Sequence, residues 1–355
     1  MKSNTQRVLI SGNEAVGAGA LRAGVRAYYG YPITPQNELT AYMAQHMPDV
    51  GGVFVQAESE LAAVNMVFGS AATGVRTMTS SSSPGISLKQ EGISYLAGCE
   101  LPAVIVNVQR AGPGLGNIAP AQADYWQATR GGGHGDYRTP VLAPYTVQEC
   151  YDCMPIAFDI ADRYRTPVLV LSDGRLGQMM EATELHDFEP ATDLPPKDWA
   201  LDGCKGRAPR RILSLMLKEK ELEELNLRLQ ARYKEIEANE TRYETYQADD
   251  ADLWLVAYGS SARICKKAMR LARAEGLKVG LMRPITLWPY PSAPIAQAAG
   301  RGAKFLVVEM SAGQMVEDVR LAVEGRSAVE FTGKMGGFVP EVTTVLNLAR
   351  KMLGG

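Results

Sequence analysis

The chain has 355 residues, of which 46% are hydrophobic and 21% charged, and its formal net charge is −2. This near-neutral balance gives no reason to expect nucleic acid or an anionic membrane as a partner. No run of about 18 uncharged apolar residues occurs, and the first residues, MKSNTQRVLISGN, lack the apolar core of a signal peptide. We therefore expect a cytoplasmic protein, and its length favours two domains over one.

The five cysteines are odd in number and scattered, which argues against a disulfide framework. Cys150 and Cys153 form a C-x-x-C motif inside a helical pattern. Zinc sites and iron–sulfur clusters usually take four ligands, so we interpret this pair as ordinary helix thiols and expect no metal site in the chain.

In the first half of the chain, strand-like runs alternate with helical patterns, which is typical of a mainly parallel, doubly wound sheet. The predicted strands are residues 6–11, 51–58, 75–79, 103–108 and 167–171, and the predicted helices are residues 12–26, 37–46, 59–72, 86–99 and 147–163. Several strands end in polar, Gly- and Pro-rich turns, which in a parallel sheet lie at the carboxyl edge, where ligands bind. Residues 112–138 are too irregular for an element, and a loop of that length is usually functional or disordered.

Residues 185–209 are rich in Pro and Asp, which indicates a linker. Residues 210–247 then read as a long amphipathic helix. The residues on its apolar face are Leu222, Leu225, Leu229, Tyr233, Ile236 and Tyr243. We predict an α/β protein with two doubly wound domains, the first at residues 1–190 and the second at 251–355, joined by a linker and helix at 191–250.

Glu60 is the carboxylate that the sequence surrounds most closely with apolar residues. Ser59 precedes it as a helix N-cap, so an acid at this position can simply stabilise the helix dipole. Because LAAV follows, Glu60 is expected in tightly packed apolar surroundings, where a carboxyl group can exchange a proton with a ring nitrogen. Glu58 competes for this role, and spacing alone does not choose between the structural and the functional interpretation.

Arg110 ends a buried strand and begins a Gly- and Pro-rich loop, and its guanidinium suits a carboxylate ligand. A structural ion pair with an acid such as Glu100 explains it equally well. Thr34 precedes Pro35, so it is expected to be extended, with its hydroxyl and amide available to a ligand. His134 is either a general acid–base or an anchor for its loop.

The serines at 80–83, followed by Pro84 and Gly85, are expected to expose hydroxyls and amides at a strand end. They do not form a phosphate-binding Walker loop, because no Gly-Lys-Ser/Thr follows.

Four segments, GYPITP (30–35), VQAESELAAVNMVFGSA (55–71), SSPGISLKQEGISYLAGCELPAVIVNVQRAGPGLGN (82–117) and GGGHGDYR (131–138), carry a family resemblance. They resemble the alpha subunit of thiamine diphosphate-dependent 2-oxoacid:ferredoxin oxidoreductases, and the 2-oxoisovalerate (branched-chain) type most closely. YGSSAR, RPITLWPYP and VVEMSAGQM resemble the second domain of that family. The resemblance implies a pyrimidine-binding domain followed by a transketolase C-terminal-like domain.

The resemblance also implies residue roles. Glu60 matches the carboxylate that hydrogen-bonds the cofactor's pyrimidine ring, which makes it preferable to Glu58. Thr34 and Arg110 match the residues that bind the 2-oxoacid carboxylate. The stretch beside the pyrimidine is matched by residues 81–85, among them Ser82, Ser83, Pro84 and Gly85. Many relatives have glycine at the position of Ser83, so a side chain there is expected to crowd or rewire the loop.

Several parts of the family's active site are missing from this sequence. No Gly-Asp-Gly followed by a distant Asn occurs, SDG at 172–174 does not fit that pattern, and no cysteine clusters are present. The resemblance therefore implies a beta subunit that carries the diphosphate and Mg²⁺ site, and small subunits with iron–sulfur clusters. It further implies coenzyme A as co-substrate and ferredoxin as electron acceptor.

The expected substrate is a branched-chain 2-oxoacid. Relatives that act on 2-oxoglutarate tend to have hydroxyl residues where this chain has Gly114 and Leu115, and the change favours an apolar substrate side chain. 2-Oxoglutarate and aryl 2-oxoacids are the alternative substrates, and a non-catalytic scaffold subunit is the alternative of another class.

Overall fold

The computed structural model describes residues 6–354, and within this range the chain folds into alternating strands and helices. The strands are β1 (Gln6–Ser11), β2 (Ala27–Gly30), β3 (Val53–Gln56), β4 (Thr77–Ser81), β5 (Ala103–Gln109), β6 (Val141–Leu142), β7 (Pro167–Asp173), β8 (Met180–Leu185), β9 (Tyr243–Tyr246), β10 (Leu253–Val256), β11 (Val279–Pro284), β12 (Thr286–Trp288), β13 (Lys304–Glu309) and β14 (Val329–Gly333). The helices are α1 (Gly12–Arg22), α2 (Asn37–His46), α3 (Glu60–Ala72), α4 (Ser83–Gly98), α5 (Tyr125–Thr129), α6 (Val147–Tyr164), α7 (Gly174–Gln178), α8 (Glu219–Asn239), α9 (Gly259–Ala274), α10 (Ser292–Gly300), α11 (Met315–Val323) and α12 (Val342–Leu353), with a 3₁₀ turn at Pro48–Val50.

A seven-stranded sheet forms the centre of the first half, in the order β12-β6-β7-β5-β4-β2-β3. Its strands are parallel except for β12, which pairs antiparallel with β6. Helices α1, α2 and α6 pack together on one face, and α3 and α4 pack together on the other. Because both faces are covered, β4, β5 and β7 are buried along their whole length, and function is confined to the strand ends.

The second half contains a five-stranded sheet in the order β14-β13-β10-β11-β9, with β9 antiparallel to its neighbour. One face packs under α9 and α12 in a separate apolar cluster. The other face, which carries Trp254 and Phe305, belongs to the same continuous core as the first sheet. The two halves therefore share buried apolar contacts.

Two strands cross the predicted domain boundaries. β12 lies beyond residue 251 but extends the first sheet, and β9 lies before residue 251 but joins the second. The division at residues 190 and 250 stays a prediction, and any such division has to accommodate this exchange of strands.

The long helix is shorter than predicted. α8 begins at Glu219, Tyr243 lies in β9, and Leu222 is 43% exposed rather than on the buried face. The segment before α8 is non-helical: Ile212 and Met216 pack on the core, and the three residues between them are exposed. Because these two apolar residues are four positions apart, the sequence has a helical spacing although the backbone here is not helical.

Other elements were missed or bounded differently. The helix predicted to reach residue 26 ends at Arg22, and the loop expected at 112–138 contains the short helix α5. β1 and β8 pair as a separate antiparallel ribbon, and β8, α10 and β14 had no prediction. No helix in the described part of the chain is both long enough and apolar enough to span a bilayer.

Candidate active site

Glu60 begins α3 at the carboxyl edge of the first sheet. The Ser59 hydroxyl caps the helix by accepting a hydrogen bond from the Ala62 amide at 3.1 Å. Glu60 is 5% exposed, whereas Glu58 is exposed. Of the two acids, Glu60 is therefore the one that lies inside the protein.

The first turn of α4 lies directly against this carboxylate. A Cβ atom added to Gly85 would lie 2.0 Å from the Ser81 Oγ and 2.5 Å from the Glu60 Oε1. Both distances are shorter than any allowed contact, so a residue without a side chain is needed at position 85. Within residues 6–354 the Glu60 carboxylate oxygens receive no hydrogen bond, which leaves them available to a ligand.

The expectation that serines 80–83 expose their hydroxyls is wrong for Ser80, Ser81 and Ser82, which are fully buried in this chain. The reason is that α4 starts at Ser83 immediately after β4, so no loop separates strand from helix. The Ser80 hydroxyl donates to the Gln36 Oε1 at 2.6 Å. The hydroxyls of Ser81 and Ser82 have no partner in the described part of the chain, which is unusual for buried polar groups.

Arg110 lies 7% exposed at the end of β5 and uses its guanidinium on backbone oxygens. Its Nη1 donates to the Thr34 carbonyl and its Nη2 to the Leu115 carbonyl, each at 3.0 Å, while Nε is unpaired. The alternative pairing with Glu100 is wrong, because that carboxylate binds Arg232 and Arg228 on α8. Among residues 6–354 no carboxylate neutralises Arg110, so a buried cation faces the site without a counter-ion.

Thr34 lies at the same edge, partly buried, and its Oγ1 accepts a 3.3 Å hydrogen bond from the Asn37 side chain. The Thr34 backbone carbonyl accepts the hydrogen bond from Arg110, and this bond joins the guanidinium to the turn after β2. Thr34 and Arg110, which are 76 positions apart in the sequence, are in contact.

Ser83 connects α4 to the end of β5. Its hydroxyl donates to the Asp124 Oδ2 at 2.6 Å and accepts from the Arg110 amide at 3.0 Å. Asn107 also donates to the Asp124 Oδ2, at 2.9 Å. Burial raises the pKa of Asp124, and the hydrogen bonds from Ser83 and Asn107 partly oppose that shift. Sequence reasoning missed Asp124, although its place just before a short helix in the glycine-rich segment was a usable signal.

A cavity of about 400 Å³ opens beside these residues. The residues that line it from the first half include Pro84, Arg110, Gly114 and Asp124, and those from the second half include Ser311, Gln314 and Met335. Buried Glu309 shapes the second wall, because its carboxylate accepts hydrogen bonds from the Gln314, Met315 and Val316 amides. Both halves of the chain therefore build the cavity.

Gly114 and Leu115 differ in where they lie. Gly114 lines the cavity with a φ of +69°, a conformation that glycine adopts without strain. The Leu115 side chain is 80% exposed, and only its carbonyl reaches the site, through Arg110.

His134 is exposed and lies beside the far half of α4, where its carbonyl accepts a hydrogen bond from Ser94 and its ring meets the edge of Tyr95. Ser94 is eleven positions after Ser83, which corresponds to roughly 16 Å along a helix. His134 lines a different cavity, against α8. The structure therefore separates it from Glu60 and Arg110.

No group of three or more metal-ligating side chains occurs in the part of the chain that the structure describes. Asp173 of the SDG segment instead caps α7 and accepts a 2.8 Å hydrogen bond from the Ser260 hydroxyl, which ties the two halves together. Cys150 and Cys153 are buried in α6, and burial raises the pKa of both thiols.

Two family descriptions match the chain. Pyruvate flavodoxin/ferredoxin oxidoreductase, thiamine diphosphate-binding, matches residues 18–222, and pyruvate:ferredoxin oxidoreductase core domain II matches residues 251–345. The chain belongs to this family. The ketoisovalerate oxidoreductase subunit VorB of Methanothermobacter thermautotrophicus is 53% identical over 98% of both chains. The 2-oxoglutarate synthase subunit KorA of the same organism is 37% identical over 98% of this chain and 99% of its own.

Solved structures agree with this assignment. A 2-oxoglutarate:ferredoxin oxidoreductase from Magnetococcus marinus, with 2-oxoglutarate, coenzyme A and succinyl-CoA bound, superimposes with a TM-score of 0.86 at 27% identity. The match covers 97% of this chain and 65% of that longer one. A split-gene transketolase, with a TM-score of 0.59 at 12% identity, shares the fold alone. The family resemblance and the α/β class predicted from the sequence are both confirmed: the chain is an alpha-type subunit of a 2-oxoacid:ferredoxin oxidoreductase.

Proposed function

We propose that this chain is the catalytic subunit for the coenzyme A-dependent oxidative decarboxylation of a branched-chain 2-oxoacid. The products are an acyl-CoA, carbon dioxide and reduced ferredoxin. The observation that carries the proposal is the buried Glu60 carboxylate facing the Gly85 turn, with Arg110 at the same sheet edge. Among the described residues, neither the Glu60 carboxylate nor the Arg110 guanidinium has a partner of opposite charge bonded to it. When bound, thiamine diphosphate supplies the electron sink for decarboxylation.

The residues around Glu60 fit the pyrimidine half of that cofactor. Gly85 lets the Glu60 carboxylate and the Ser81 hydroxyl approach the backbone of α4, where a Cβ atom would displace them. The buried hydroxyls of Ser81 and Ser82 have no hydrogen-bond partner among the described residues. Glu60 would share a proton with a pyrimidine nitrogen, while Ser82, Ser83, Pro84 and Gly85 hold the ring in place. Ser83 also has the structural task of fixing Asp124.

Arg110 and Thr34 would bind the substrate carboxylate. A guanidinium that lacks an acidic partner gains a charge-assisted pair when a carboxylate enters. Its two bonds to backbone carbonyls hold it in position before the substrate arrives, so little side-chain entropy is lost on binding. His134 is remote from these groups in the isolated chain, and we assign it to the loop beside α8.

The diphosphate, its Mg²⁺ and the electron-transfer clusters require residues that the described part of this chain does not bring together. We propose that a beta subunit carries the diphosphate and Mg²⁺ site and that cluster-bearing small subunits pass electrons to ferredoxin. The exposed apolar side chains of the α3–α4 layer are a suitable contact surface for the beta subunit; they are Leu61, Met66, Leu88 and Tyr95. We further propose that the complex acts in the cytoplasm.

The decisive experiment replaces Glu60 by Gln in the reconstituted complex. Gln keeps the shape but cannot exchange a proton, so we expect the turnover of the 2-oxoacid to fall by about 10² to 10³-fold. Glu58→Gln, two positions away on the surface, is the matched control and should stay within about twofold of the wild type. Unchanged turnover in Glu60→Gln would favour the scaffold alternative.

A panel of 2-oxoacids assigns the substrate. The 53% identical relative is named for ketoisovalerate and the 37% identical one for 2-oxoglutarate, so both compounds belong in the panel. We expect the complex to prefer 2-oxoisovalerate in kcat/KM, because Gly114 offers no side-chain donor to a second carboxylate. Leu115 is 80% exposed here, so we propose that it meets substrate only in the assembled complex. A clear preference for 2-oxoglutarate would contradict the assignment.

A further inference from the structure

Lys89, in the second turn of α4, is a fully buried lysine next to the proposed catalytic carboxylate. Its side chain is 0% exposed and is among the largest fully buried side chains of the described residues. The Nζ donates to the Thr79 Oγ1 at 3.0 Å and to the Glu60 backbone carbonyl at 3.3 Å. Lys89 thus spans β4 and the first residue of α3.

A buried ammonium without a paired anion is expensive to maintain, so lysines are rarely buried in this way. Burial lowers the pKa of Lys89 to about 8, and the charge of Glu60 opposes that shift. β4 contributes the neutral Thr79, and α3 contributes Glu60, the charged group whose field raises the pKa of Lys89. The two groups therefore interact through space, because the ammonium is bonded to Thr79 and to the Glu60 backbone rather than to the carboxylate.

We propose that Lys89 is a positioning residue that fixes the start of α3 and holds a positive charge next to Glu60, and thereby controls how readily Glu60 exchanges a proton with the cofactor ring. The inference rests on the proposed function. Lys89 itself touches neither the substrate nor the cofactor, and it acts on the reaction only through Glu60.

Two effects follow from this geometry. The Nζ bond to the Glu60 carbonyl fixes the start of α3 relative to β4, which sets the direction of the carboxylate. The positive charge of Lys89 stabilises the negative charge that the carboxylate carries after its proton has passed to the ring. When Lys89 loses its own proton, this stabilisation is lost and the proton transfer becomes less favourable.

The test measures hydrogen–deuterium exchange at the thiazolium carbon of thiamine diphosphate bound to the complex, a step that needs neither coenzyme A nor ferredoxin. In the wild type we expect the exchange rate to fall by about tenfold as the pH rises through 8, where Lys89 loses its proton. Lys89→Met should be slow at every pH, and Lys89→Arg should be fast at every pH, because a guanidinium stays charged. Lys220→Met, on the exposed surface of α8, is the control and should follow the wild type.

Thermal unfolding of the chain without cofactor gives an independent measurement. The folded-state pKa of Lys89 lies below its unfolded value of 10.5, so between pH 8 and 10.5 the unfolded chain binds more protons than the folded one. The wild type therefore gains stability relative to Lys89→Met as the pH rises through this window. The Tm advantage expected for Lys89→Met at pH 7 should shrink by pH 10, and a constant difference would contradict a buried, titrating lysine.

The possible outcomes separate this inference from the proposed function. If Glu60→Gln leaves turnover unchanged, the proposed function fails. If Glu60→Gln is inactive but Lys89→Met keeps the wild-type pH profile, only the role of Lys89 fails. If Lys89→Met does not assemble, the pH dependence of the exchange rate in the wild-type complex is the test. An exchange rate that is constant from pH 7 to 9.5 overturns the proposal.

Discussion

At the scale of single residues, the site depends on which side chains are absent as much as on which are present. Gly85 lets the Ser81 hydroxyl and the Glu60 carboxylate approach the same point, and Arg110 and Lys89 are buried cations without an acid bonded to them. Each of these features would be unfavourable in a protein that worked alone, because buried polar groups normally have partners. Together they describe a surface that is completed by a ligand.

Gly85→Ala tests this description. The added Cβ would displace either the Ser81 hydroxyl or the Glu60 carboxylate, so we expect thiamine diphosphate to bind the complex at least about tenfold more weakly. Isothermal titration of the cofactor into the complex measures the change. Gly69→Ala in α3 is the control: nothing lies within 4 Å of its Cβ, and alanine should stabilise the helix by about 0.5–1 kcal/mol. Equal cofactor affinity in the two variants would show that cofactor binding does not depend on the close approach of Ser81 and Glu60 to Gly85.

At the scale of elements, α3 and α4 carry the proposed site at their N-terminal ends and exposed apolar side chains along their outer surface. Leu61 and Leu88 are exposed although most residues on the inner faces of the same helices are buried. Exposed apolar groups gathered on one layer, next to an open site, are typical of a subunit contact. We therefore propose that this layer connects subunit assembly with the position of Glu60.

Leu88→Glu tests the α3–α4 contact. Leu88 is 56% exposed, so the chain alone should keep its Tm within about 1–2 °C. A charge buried in the interface should weaken association with the beta subunit by at least about tenfold, measured by analytical ultracentrifugation of the mixed subunits. Leu321→Glu on α11, where leucine is 69% exposed, is the matched control and should assemble normally. Normal assembly of Leu88→Glu would place the contact elsewhere.

At the scale of the whole molecule, one buried arginine joins the two halves. Arg283 of β11 is fully buried and donates to both oxygens of Glu149 on α6, at 2.8 and 2.9 Å, and to Glu244 on β9 at 2.9 Å. Its guanidinium also stacks on the Tyr145 ring at 4.0 Å. Since the cavity has walls from both halves, the connection helps to fix the shape of the site.

Arg283→Met should lower the free energy of unfolding by about 2–3 kcal/mol, because it leaves two partly exposed carboxylates without their cation. We expect one cooperative transition at a lower Tm, since the halves share a core. Differential scanning calorimetry measures both quantities. Arg350→Met breaks an exposed pair with Glu275 and should leave the free energy of unfolding nearly unchanged. A loss in Arg283→Met no larger than in this control would contradict a structural role.

Much of this protein follows from local sequence patterns. Alternating apolar runs and helical periods located most strands and helices of the first sheet, and the Ser59 cap placed Glu60 at a helix start. These predictions depend on neighbours within one or two turns of the chain, and local propensity and capping act over that range. The motifs also identified the family before any contact was known.

Only the tertiary structure decided which distant groups meet. The sequence left open whether Arg110 pairs with Glu100, and it gave no sign that Lys89 lies under Glu60 or that β9 and β12 exchange sheets. Those facts depend on how strands far apart in the chain align and which side chains burial brings together. The local sequence shows whether a residue is charged or apolar. The residue that it contacts is set by packing across the sheet, and the neighbouring residues in the sequence do not indicate that contact.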